Sequence, residues 1–186
     1  MREITVAAVG VLAIALTSCT SEPSESPEEF GAVLEMRSRA QEVMDARVGA
    51  KQAALALFEL EDPYGPEGLE AVDRVREAWG AAEAAVRQAE ADLPPGLEDE
   101  WALVSEDTRV AASNWDVALT QVEALITKMK PMSAAGELLA AAESAESAAD
   151  ESLSQALREL DRLVCEGTGD EWDAEAAECV GAGSFG

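Results

Sequence analysis

A repeat in the middle of this chain constrains its fold most. Trp101, Val104, Thr108, Ala111, Trp115, Ala118, Val122, Leu125 and Met129 recur at spacings of three and four over four heptads. A strand alternates every two residues, so this spacing requires a helix with one long apolar seam. A strict 3-4 seam packs against neighbours inclined by roughly 20°, the geometry of a bundle. Alanine fills 37 of the 186 positions and favours helix. After the first 18 residues the chain holds one isoleucine (Ile126), one tyrosine and no alternating run, which leaves little from which to build a sheet.

Prolines and glycines divide the remainder. Asp62-Pro63-Tyr64-Gly65-Pro66, Pro94-Pro95-Gly96, Pro131 and Gly167-Thr168-Gly169 cannot continue a helix. Four helices are therefore predicted, over residues 27–61, 67–93, 97–130 and 134–166. Ser26-Pro27-Glu28-Glu29 supplies the first start: a capping serine, a proline suited to the first turn and a glutamate that closes a capping box. Ser133 is the expected cap of the fourth helix. The first helix is assigned an inner face of Leu34, Ala40, Met44, Val48, Leu55 and Phe58. The second is assigned Leu69, Val72, Val75, Trp79, Ala82, Val86, Ala89 and Leu93. The fourth buries mainly alanine in its first half, then Leu153, Leu157, Leu160 and Val164. Turns of about five residues or fewer force antiparallel neighbours. The expected fold class is all-α: an elongated up-down-up-down four-helix bundle over residues 27–186. A three-helix body with the alanine-rich stretch loosely attached is the alternative.

Charge removes several functions. Lys and Arg number 13 against 38 Asp and Glu, a formal net charge of −25, with no histidine. So acidic a chain repels phosphate backbones, which excludes nucleic acid as a partner bound through a basic stripe. Without histidine there is no Ser-His-Asp or Cys-His catalysis, and most zinc and haem sites are closed. No D-x-D-x-D-G calcium loop occurs, and Asp170, Asp173 and Glu175 lack its spacing. With carboxylates this abundant, proximity of any two points to a solvated helix surface rather than to a glycosidase-type acid/base pair. No catalytic residue, metal ligand or cofactor is assigned.

The N-terminus has a separate logic. Arg2 precedes a nearly unbroken apolar run from Ile4 to Leu16, followed by Thr17, Ser18 and Cys19. The run is too short for a membrane span, which needs about 20 residues, and has the length of a signal-peptide core. Leu16-Thr17-Ser18-Cys19 resembles the lipobox of bacterial lipoproteins: an aliphatic residue, two small residues and a cysteine. The resemblance implies a diacylglyceryl group on the Cys19 thiol and cleavage between Ser18 and Cys19. Residues 1–18 would be a cleaved signal peptide, and residues 19–26 the lipidated cysteine and a polar tether. A plain secretory signal cut near the same place is the rival reading. The resemblance further implies export to the cell envelope, with the membrane as partner through the lipid on the outer face. The removed segment carries one arginine and one glutamate, so the remainder keeps the whole charge of −25. Acyl chains alone would anchor it, at about 0.8 kcal/mol per buried methylene.

Cys165 and Cys179 remain, and in an oxidising compartment such a pair is usually bridged. Closing a loop of about 15 residues is worth about 3 kcal/mol in the entropic account. The intervening Asp-Glu-Trp-Asp-Ala-Glu-Ala segment is predicted to form a short C-terminal helix, capped by Asp170, with Trp172, Ala176 and Cys179 inward. Trp79, Trp101 and Trp115 fall on seam positions and are expected in the core. Alanines facing large tryptophans leave room for a ligand groove at Trp101 and Trp115. Two functions follow as expectations. The first is a non-catalytic interaction or scaffold module docking an unidentified envelope protein. The second is a carrier of a small apolar molecule between the third and fourth helices.

Overall fold

The computed structural model describes residues 27–180 apart from residue 92. It is mostly helical: α1 Pro27–Phe58, α2 Pro66–Glu90, α3 Glu98–Thr127 and α4 Gly136–Thr168, the last preceded by a 3₁₀ turn, Met132–Ala135. Pro27 and Pro66 open α1 and α2, where a missing N–H costs nothing, and acidic residues follow in both first turns. Ser133 does not cap α4. It lies in the 3₁₀ turn, and the N-cap is Ala135, without a side-chain hydrogen bond. α4 ends at Gly169, whose φ of 82° is the left-handed conformation that glycine adopts cheaply.

α1 packs on α2 and α4, and α3 packs on the same two helices. The α3 seam is buried from Trp101 to Leu125 as its spacing predicts, joined by Leu119 and Ile126. Met129 is the exception. The helix stops at Thr127, and Met129 sits in a turn, 75% exposed. In α2 the buried set runs from Val72 to Ala89 as expected, with Gly68 and Ala71 added and Leu69 left outside.

The assignment for α1 needs correction. Its buried residues are Val33, Met36, Ala40, Val43, Arg47, Ala50, Ala54 and Leu57. That is also a strict 3-4 seam, displaced by one position from the predicted face. Leu34, Val48, Leu55 and Phe58 are exposed, and only Ala40 is common to both sets. Arginine at position 47 and small alanines at 40, 50 and 54 made the true seam look less apolar than the stripe beside it.

The C-terminal segment also differs from expectation. Glu171–Asp173 (β1) and Glu178–Val180 (β2) form an antiparallel hairpin in place of a helix, with Trp172 opposite Cys179. Asp173 Oδ1 accepts from the backbone N–H groups of Glu175 and Ala176 at 2.9 and 3.0 Å, and Ala177 turns through φ 52°. An aspartate that captures the turn amides outcompetes the helical ladder in so short a segment. The Cys165–Cys179 disulfide ties the hairpin to α4, with Cα atoms 5.6 Å apart.

One glycine is dictated by packing. A Cβ on Gly68 would stand 1.9 Å from the Pro63 carbonyl oxygen, whereas a Cβ on Gly80 would meet nothing within 4 Å. Alanine is the better helix former by about 1 kcal/mol, so sterics and propensity oppose each other only at Gly68. Urea denaturation should show Gly68→Ala losing about 1–3 kcal/mol and Gly80→Ala gaining about 0.5–1 kcal/mol. Shifts of the same sign would contradict this packing.

Candidate functional site

The buried residues fall into two clusters. One holds Leu57, Val72, Val75, Trp79, Trp115, Leu119, Val122 and Ile126 with Ala135 of the 3₁₀ turn and the α4 alanines Ala142 and Ala149. The other holds Val33, Met36, Val43, Val86, Trp101 and Val104 with Leu153, Ala156 and Leu160. Between them lies a polar layer built around Arg47, which is 1% exposed. Its guanidinium donates to the carbonyl oxygen of Ala149 on α4, to Thr108 Oγ1 on α3, and more distantly to Val104 O at 3.4 Å. Thr108 Oγ1 in turn donates to Val104 O at 2.6 Å, and Ser152 Oγ donates to the same Ala149 carbonyl at 2.9 Å. None of these acceptors is a carboxylate, and Arg47 Nε is buried without a hydrogen-bond partner.

Burial pulls the Arg47 pKa down to about 10, against the opposing pull of Asp150 and Asp107. The cation persists at neutral pH and is held by dipoles. Arg47 stands on a seam position, where polarity reads as an interruption, and no pattern of apolar spacing would have found it.

Trp79, Trp101 and Trp115 are core residues. Trp79 and Trp115 stack across the α2–α3 interface, their centroids 6.5 Å apart, and each is 2% exposed. Trp115 donates its indole N–H to Glu146 of α4 at 3.1 Å, while Trp79 and Trp101 bury theirs without a partner. Trp101 and Trp115 belong to different clusters. The cavity that reaches Trp115, about 320 Å³, opens between α2 and α3 and is rimmed by Arg76, Glu83, Arg109 and Asp116. Arg76 is already engaged by Asp116 and Glu123, and Arg109 by Glu106.

A larger cavity of about 470 Å³ lies where the start of α1, the end of α4 and the hairpin meet. Leu34, Val164 and Trp172 supply its apolar lining, with Arg37, Asp161, Asp170 and Glu178 around them. Hydrogen bonds from Arg109 and Arg162 push Glu106 and Glu159 below the usual carboxylate range, which holds both ionised. Ser18 and Cys19 lie outside the described residues. No helix among the described residues is long and apolar enough to cross a membrane. Comparison with known protein families, curated proteins and solved structures finds no match to this chain.

The Arg47 layer has an asymmetric mutational signature. Removing the guanidinium orphans no acceptor, because Thr108 keeps its bond to Val104 and Ala149 keeps Ser152. In urea denaturation at neutral pH, Arg47→Met should match wild type or exceed it by about 1–4 kcal/mol, as when buried charge is replaced by apolar volume. Arg47→Ala should lose about 2–4 kcal/mol to the cavity it leaves. The unfolded chain holds the Arg47 proton more tightly than the folded one. The burial cost is therefore complete at neutral pH and shrinks as pH rises through 10, and the advantage of methionine shrinks with it. A loss of several kcal/mol in Arg47→Met would contradict this reading.

Proposed function

We propose that this chain is an exported bacterial lipoprotein, anchored through a lipid on Cys19, whose acidic helical body is a non-catalytic docking module of the cell envelope. The observation that carries the export reading is the Cys165–Cys179 bridge, a bond that persists in oxidising compartments and is rare in reducing ones. It agrees with the order of apolar run, small residues, cysteine and polar tether at the N-terminus.

The body is read as an up-down-up-down bundle. Arg37 pairs with Asp161 near one end of α1, and Lys51 pairs with Glu146 and Asp150 further along, an order that supports opposite directions for α1 and α4. The carrier reading draws less support. A ligand between α3 and α4 at Trp115 would compete with the bond from its indole N–H to Glu146.

Bacterial cells fed an alkyne-bearing fatty acid and expressing the full chain should label the wild type and leave Cys19→Ala unlabelled. Equal labelling of the two would refute the lipid anchor.

A further inference from the structure

We infer that the groove between α1 and α4 is a docking site for a cationic amphipathic helix of a protein partner. This rests on the docking-module reading above and gives it a surface and a partner chemistry.

The first observation is a second stripe on α1. Leu34, Val48 and Leu55 share one heptad phase, and Phe58 falls three residues on, in the next seam position of the same repeat. All four are exposed, Leu55 to 61%. Scattered exposed apolar residues are ordinary; a row kept in phase along one helix is what a partner helix reads. The stripe faces the α4 side, because Arg37 and Lys51, in the same phase as Phe58, reach Asp161, Glu146 and Asp150 there. α1 and α4 are also the least closely packed of the four neighbouring helix pairs. From Leu34 to Phe58 the row runs about 36 Å at 1.5 Å per residue, room for more than three heptads of a partner.

The second observation is where the row ends. Leu34 opens into the 470 Å³ cavity with Val164 and Trp172, where one cation, Arg37, faces Asp161, Asp170 and Glu178. That lining suits a long basic side chain, its aliphatic stem on Trp172 and Leu34 and its charge among the carboxylates. Glu59, just past the end of α1, and Glu143 on α4 are exposed as well. A second copy would bring another −25 to this face, so charge selects a basic partner over self-association.

The probe is a synthetic helical peptide of about 28 residues, leucine at its seam positions and lysine and arginine beside them, titrated into the full chain in mild detergent at physiological salt. It should bind, and a scrambled peptide of identical composition should bind at least about tenfold more weakly. Val48→Gln with Leu55→Gln should cause a similar loss, whereas Leu103→Gln on α3 should not. All three positions are exposed, and circular dichroism checks that the variants keep their helix. The inference is overturned by equal binding of the scrambled peptide, by wild-type affinity in the Val48/Leu55 variant, or by no binding. It is equally overturned if the full chain is itself a dimer that this double variant dissociates. Fatty-acid labelling is read at Cys19 and peptide binding on α1, so either result can fail alone.

Discussion

A guanidinium buried among backbone carbonyls and hydroxyls organises this molecule. Arg47 reaches from α1 to Thr108 on α3 and Ala149 on α4, so one side chain fixes the relative height of three helices. Apolar seams alone specify this weakly, because a helix slid by one heptad still presents apolar residues to its neighbours. A buried donor tolerates no such slip, since its acceptors would be left behind and its own desolvation would go uncompensated. The arginine costs stability and supplies register.

The same layer gives the two ends of the bundle different character. On one side α4 contributes Leu153 and Leu160, and its last turns are held by the disulfide to the hairpin. On the other side it contributes Ala142 and Ala149, whose small side chains bury little area per residue. There the helix is held by polar contacts instead: Glu146 accepts from Trp115 and pairs with Lys51, and Asp150 pairs with Lys51 as well. Ion pairs of this half-buried kind contribute modestly, and the Lys51 pairs weaken in salt. The alanine half of α4 is the less firmly held part of the body.

Much of this was legible in the sequence, and the failures have physical causes. The α3 seam was readable because its large residues, Trp101 and Trp115 above all, stand on the buried phase and outweigh the exposed Leu103 and Val117 beside it. α1 carries two apolar rows one residue apart, and the exposed row has the larger side chains. A reader who weighs size chooses Leu55 and Phe58, whereas the fold chooses Ala50, Ala54 and Leu57 around Arg47. The disulfide followed from cysteine arithmetic. The hairpin it closes did not, because alanine and glutamate favour helix while the turn depends on a single aspartate, Asp173, capturing two amides. Trp101 and Trp115 were placed correctly as seam residues, but spacing could not show that the Arg47 layer puts them in separate clusters.

The Arg47 layer divides one continuous helix, α4, into segments of unequal stability. Native-state hydrogen exchange on the full chain, resolved along α4, should show a step at Ala149, with amides of residues 153–165 exchanging much more slowly than those of residues 138–148. Uniform protection along α4, or slower exchange in the alanine half, would contradict it.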